Sequence, residues 1–287
     1  MKYVIRHSIV LFLFVVFSCN AFAKDGLFWR IESNNGQTSY LLGTIHSDDP
    51  RVLNIPEVIL KALSESKSFS GEIKMDMMTM MQASELMFSI SGTTLDKKLD
   101  NKTYQKVVAA LLDYGIPEVI AQRMKPWAVA ATLSLPKPET GVFLDMKLYQ
   151  LASQQQKALY GLETVEEQVG AMEAIPEHLQ VKMISDALEQ YPSIEAIIDS
   201  LITAYVSRDL NRIEKISKEN MDKGSADVNK AFDRELIVKR NQRMLLRMQP
   251  RLQEGHAFIA VGALHLPGEY GLLTLLRKQG YNVSSIY

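Results

Sequence analysis

Residues 40–46, Tyr-Leu-Leu-Gly-Thr-Ile-His, and residues 258–265, Phe-Ile-Ala-Val-Gly-Ala-Leu-His, carry one pattern at opposite ends of the chain. Each is an apolar run of strand length that ends in Gly-x-x-His. A glycine where a buried strand emerges lets the backbone turn sharply or approach another group closely, here Gly43 and Gly262. A histidine three residues on is then held at the mouth of the sheet, where active sites of α/β sheets gather. One such histidine is ordinarily a structural, hydrogen-bonded residue. Two in matched contexts, His46 and His265, point to a shared site. Imidazole titrates near neutrality and has two distinct nitrogens, so the pair suits metal ligation or acid/base work.

Working outward, residues 28–31 and 38–42 flank Asn34-Asn35-Gly36, a strong hairpin signal. After the polar turn Ser47-Asp48-Asp49-Pro50, residues 56–66 have helical spacing at Val58, Ile59, Ala62 and Leu63. Residues 67–73 read as a short strand with Glu72 at its end, a carboxylate that could join the two histidines. The middle is mostly helical, with i, i+3, i+4 apolar patterns over residues 101–114, 117–133 and 142–154. Residues 158–162 form a brief strand, residues 177–248 are helical with punctuation at Pro192 and near Gly224, and residues 257–261, 270–279 and 281–286 read as strand, helix and strand. The expected fold is α/β (mixed α+β): a central mixed sheet flanked by helices, a helical middle region, and two pseudo-repeated strand–GxxH–helix units forming related half-sites that face one another. Residues 75–90 hold six of the chain's 14 methionines, expected to fill an irregular core rather than form an adaptable binding surface.

The 287 residues are 47% apolar and 23% charged, with a net charge of −1, which is an ordinary globular composition. Without a basic field or a patch of mixed cations and aromatics, nucleic acid is excluded as a partner. Residues 1–23 read as a cleaved signal peptide: Lys2 and Arg6, a short apolar run, then Ala21-Phe22-Ala23. The run is too short for a stable membrane span. Cys19, the one cysteine, lies inside this leader; Phe17 fits poorly with its lipidation, so a lipoprotein is the less favoured reading. A single domain over residues 24–287, periplasmic or secreted, follows from the leader and from the lack of a linker. Of the remaining histidines, His178 opens a polar helix and His256 sits in the turn before a strand.

Gly43-Thr44-Ile45-His46, Gly161-Leu162-Glu163-Thr164-Val165-Glu166-Glu167-Gln168, Arg240-Asn241 and Val261-Gly262-Ala263-Leu264-His265 with Gly271-Leu272-Leu273 resemble the TraB/GumN family, which includes the Tiki metalloproteases and is related to the erythromycin-esterase and ChaN-like hydrolases. The resemblance spans residues 27–286. It implies a metal-dependent hydrolase, a peptidase of the Tiki kind acting on a peptide or protein. His46, Glu72 and His265 would hold a divalent metal ion, with manganese, cobalt and zinc not distinguishable from the ligand set. Arg240 would meet developing negative charge, Glu163 would act as general base or orient a ligand, and Asn241 completes the late pair. There is no His-Glu-x-x-His helix, which excludes a zincin mechanism. Bland duties compete: Glu163, Glu166 and Glu167 could open a helix, Arg240 could pair with Glu235 on a solvated face, and Asp48, Asp49 and Asp76 suit turns or caps. Two other functions stay open, a metal-independent, esterase-like hydrolase in which His46 activates water, and a non-catalytic peptide- or pheromone-binding protein.

Overall fold

A computed structural model describes residues 26–90 and 92–287; the leader assigned to residues 1–23 lies outside the described residues. Six strands, β1 (Phe28–Glu32), β2 (Thr38–Thr44), β3 (Ser68–Gly71), β4 (Ala158–Gly161), β5 (Ala257–Gly262) and β6 (Asn282–Ser285), form one mixed sheet in the order β4-β3-β5-β2-β1-β6. The expected hairpin is present, with β1 antiparallel to β2 and Gly36 at φ 79° in its turn. The four strands β4, β3, β5 and β2 run parallel to one another. Their carboxyl ends therefore share one edge of the sheet, and that edge receives every residue singled out at a strand end.

The pairing of β2 with β5 explains the repeated motif. Gly43 lies opposite Val261 and Thr44 opposite Gly262, so the two Gly-x-x-His segments leave adjacent strands side by side rather than facing each other across a cleft. A Cβ on Gly43 would lie 2.7 Å from Leu266 Cδ1 and 3.1 Å from the Ala263 backbone, so the first glycine is the space through which the second motif turns. The continuations differ. The second motif closes into a 3₁₀ turn, Ala263–His265, whereas the first leaves β2 at Thr44 and bends at His46, where the Ser47 N–H donates to the Ile45 carbonyl, before a cap made by Asp49.

Among the described residues, beside a small cluster around Ile175, Ala231 and Leu236, two large apolar clusters carry most of the packing. One lies on the sheet, with Phe28, Leu41, Phe69, Phe258 and Leu272 at its centre. The other is built by the helical middle, around Val107, Leu111, Trp127, Val129, Leu133 and Ile184. The stretch read as one helix over residues 117–133 is two, Glu118–Ala121 and Pro126–Leu133, because Pro126 lacks the N–H an uninterrupted helix needs. The methionine-rich segment corrects an expectation. Its helix, Met77–Leu86, has no fully buried residue, and Met77, Met78 and Met81 are 79%, 77% and 56% exposed, so these side chains do not fill a core. Only the opposite face, with Ala83 and Leu86, rests on the helical cluster. Among the described residues no helix is long and apolar enough to cross a membrane.

Candidate active site

Each of the four parallel strands delivers one titratable side chain to the common edge. His46 follows β2, Glu72 directly follows β3, His265 follows β5, and Glu163 follows β4 by two residues. Behind them the helix Lys239–Glu254 presents Arg240 and Asn241. That helix is preceded by a π-helical stretch, Asp233–Val238, a local irregularity found disproportionately at functional sites.

Glu72 is the hub. Its Oε2 accepts from Arg240 Nη2 at 2.6 Å and from Gln168 Nε2 at 3.0 Å, and its Oε1 accepts from the Gly262 N–H at 2.7 Å. Burial pushes its pKa up, but the positive charge of its neighbours and these donors outweigh that and hold it well below the ordinary carboxylate range. Arg240 also gives Nε to Glu163 Oε2 at 2.8 Å, and Arg243 takes Glu163 Oε1 at 2.7 Å. With its side chain fully enclosed and both oxygens engaged by arginines, Glu163 holds Arg240 in place and is not among the residues that line the cavity at Glu72. The helix-opening role falls to Thr164 and Glu167, which form a capping box. Glu235, the alternative partner for Arg240, is taken by Arg234 and Lys239.

His265 is buried and fixed. Asn241 spends its amide nitrogen on the carbonyls of His265 (3.2 Å) and Tyr270 (2.8 Å), so its Oδ1, 2.7 Å from His265 Nδ1, is an acceptor. Nδ1 therefore carries the proton and Nε2 carries a lone pair. Desolvation lowers the His265 pKa to about 4 against the opposing pull of Glu72, so the ring is neutral at physiological pH. Its Nε2 stands 3.6 Å from Glu72 Oε1: two lone pairs face each other with no proton between them. At neutral pH the neutral ring lends Glu72 no charge, and Arg240 and the Gly262 N–H keep it ionised.

His46 lines the same cavity, open to solvent, with its ring 3.7 Å from that of Phe143. The protein around it desolvates the charged form, so its pKa is lowered despite attraction from Glu72 and Asp48. The donor chemistry of Glu72 and His265, with His265 oriented through its other nitrogen, suits a divalent cation. Among the described residues, however, no three of His, Cys, Asp and Glu are grouped closely enough to hold one, so His46 is placed near the pair without joining it. Asp48 accepts the backbone N–H groups of Glu139, Thr140 and Gly141 and so anchors the loop beside His46; Asp49 and Asp76 cap helices. His256 is exposed and lies at the opposite end of β5 from His265.

Asp145 was not legible as a site residue. It opens the helix Leu144–Gln154, and its Oδ1 accepts from Thr44 Oγ1 at 2.6 Å, one residue past Gly43. Burial and the nearby Glu72 raise its pKa to about 7, partly offset by the Thr44 hydroxyl. Its sequence context, a lone aspartate in a helical first turn, reads as an ordinary dipole partner. The two shifted groups have opposite linkage. In metal-free protein the unfolded chain protonates histidine below its ordinary 6.5 while folded His265 resists until about 4, so stability is lost on acidification through that window. The unfolded chain ionises Asp145 from 3.8 whereas the folded one keeps the proton to about 7, so its contribution falls as pH rises through that window. Asp145→Asn, which keeps an acceptor for Thr44, is therefore expected to stabilise the protein more at pH 8 than at pH 4. Urea unfolding at the two pH values checks this, and an equal effect at both would remove the assignment.

Two histidines, a half-buried glutamate and an arginine pinned by a second glutamate thus gather at the carboxyl edge of the parallel strands of an α/β sheet. The chain matches the TraB/PrgY/gumN family over residues 27–285 and belongs to that family. It is 27% identical to a protein named Metalloprotease TIKI1 from Danio rerio, over 90% of this chain and 63% of that protein. Metalloprotease TIKI2 from the same organism is 26% identical, covering 85% and 58%. An uncharacterized protein YbaP from Shigella flexneri is 23% identical, covering 83% and 88%. The chain thus spans about three-fifths of the length of the TIKI relatives it matches. No solved structure matches it.

Proposed function

We propose that this protein is a periplasmic or secreted metal-dependent peptidase, with Glu72 and His265 as the fixed pair that holds a divalent cation and His46 as the mobile third donor. The observation that carries the reading is the lone-pair contact of His265 Nε2 with Glu72 Oε1 at 3.6 Å, an arrangement that a cation between them would relieve. Bound there, the cation would supply Lewis acidity. The chain's own groups do the rest. Burial keeps His265 neutral and Asn241 fixes its tautomer and aim, Arg240 keeps Glu72 ionised, and Arg240 lines the cavity where negative charge develops on an attacked carbonyl oxygen. Water adds to the carbonyl carbon, the C–N bond breaks, and the amine leaves with the proton given up by water. The compartment rests on the leader pattern in residues 1–23. The names of the TIKI relatives support the peptidase reading.

A second reading has its own observation. His46 is neutral, accessible and outside any grouped donor set, which suits direct activation of water by its ring. Incubating the full chain with a mixture of unmodified peptides, with and without chelator, and following the products by mass spectrometry separates the two. Cleavage abolished by chelator and restored by manganese, cobalt or zinc is the expected result. Cleavage that survives chelator would overturn the metal-dependent reading in favour of direct catalysis by His46. No cleavage with any of these ions would overturn both.

A further inference from the structure

His46, Glu72, Arg240 and His265 share their cavity with a larger set of apolar residues. The cavity encloses about 510 Å³, a size suited to a ligand of several residues, and extends away from His46, Glu72 and His265 between the two large apolar clusters. Its far wall is apolar: Ala83, Met87, Trp127, Val169, Met172 and Phe232. Trp127 is the largest residue of this wall. The side chain is buried, at 6% exposure, and among the described residues its indole N–H is one of two buried side-chain polar atoms with no hydrogen-bond partner. That N–H is closed off from the cavity, so what Trp127 offers a ligand is ring surface.

His46 also lines a second cavity, of about 250 Å³, on the side of Tyr114, Pro136, Pro138 and Phe143. Asp48 pins the loop that forms this wall. Space therefore opens on both sides of one histidine, which a small compact substrate would not need. We infer that the substrate is a polypeptide segment that seats a bulky apolar side chain in the Trp127-lined arm and continues past His46 through the second cavity. The exposed methionine helix then has a role as the cover of this arm, contributing Ala83 from its inner face. The inference rests on the proposed peptidase reading for the chemistry but not for the binding.

The test separates the two. Intrinsic fluorescence is titrated in chelator, where no turnover is expected, with blocked tripeptides Ala-Leu-Ala and Ala-Ser-Ala; the chain has two tryptophans, and Trp127→Phe identifies the responding one. The leucine peptide is expected to bind about 10-fold or more tightly than the serine peptide, from burial of its side chain. Trp127→Phe should remove most of the signal change. Ala83→Phe, on the half-buried helix face that rests on the helical cluster, should bring the affinity ratio close to 1 by filling the arm, with its folding checked by urea unfolding. Equal affinity for the two peptides in the unaltered protein, or an unchanged ratio in Ala83→Phe, would overturn the assignment even if peptides are cleaved. Selective binding without cleavage by the metal-loaded protein would support the arm and overturn the peptidase.

Discussion

Arg240→Met is expected to destabilise the metal-free protein by about 3–5 kcal/mol, the usual consequence of removing one partner from a buried ionic network. Arg240 is 8% exposed and bridges Glu72 and Glu163, so its loss leaves two enclosed carboxylates with less compensation than their burial requires. Arg243 still reaches Glu163, and Gln168 with the Gly262 N–H still reaches Glu72, which is why partial folding is expected rather than collapse. Lysine should rescue poorly, since a single ammonium cannot reproduce the guanidinium fork that spans both acids. Adding Glu163→Gln to Arg240→Met should recover part of the loss, because the two side chains are directly coupled. Urea unfolding of the four combinations measures this. A single variant within about 0.5 kcal/mol of the unaltered protein would mean that Arg240 sits on an ordinary surface.

Glu72→Gln should leave the fold largely intact and reduce peptide cleavage by a factor on the order of 10³ in kcat/KM. The amide keeps an oxygen for Arg240 or for the Gly262 N–H but removes the charge that faces His265. Asn241→Ala should act more mildly, about 10–100-fold, because it frees the His265 ring without removing it. Comparison of cleavage rates on metal-loaded proteins decides this. Equal losses from both substitutions would place Asn241 on the same footing as Glu72, and a loss of less than tenfold from Glu72→Gln would remove Glu72 from the centre of the site.

Much of this arrangement was legible from residue order because its signals are local. Apolar runs ending in glycine gave β2 and β5, Asn-Gly gave the hairpin, and Glu72 followed a short strand that proved parallel to both. What sequence spacing cannot convey is which strands become neighbours. The side-by-side placement of the two histidines comes from the β2–β5 pairing across more than two hundred intervening residues. Asp145 was missed for the same reason, since its partner Thr44 lies 101 residues away. The helical middle misled in two ways. Methionines at positions 77, 78 and 81 have the hydrophobicity of core residues, yet their helix buries only its opposite face. The break between the helices Ile194–Val206 and Leu210–Met221 falls at Arg208, which takes φ 62° with neither glycine nor proline to announce it; Asp209 caps the next helix.

Glu72 and His265 are proposed to form a cation site with His46 at hand. Calorimetric titration of manganese, cobalt and zinc into chelator-stripped full-length protein, beside the Glu72→Gln and His265→Gln variants, addresses it without needing a substrate. Saturable binding of one ion per chain is expected for at least one of the three, weakened about tenfold or more in each variant. Absence of saturable binding of any of them, or binding equally tight in both variants, would contradict it.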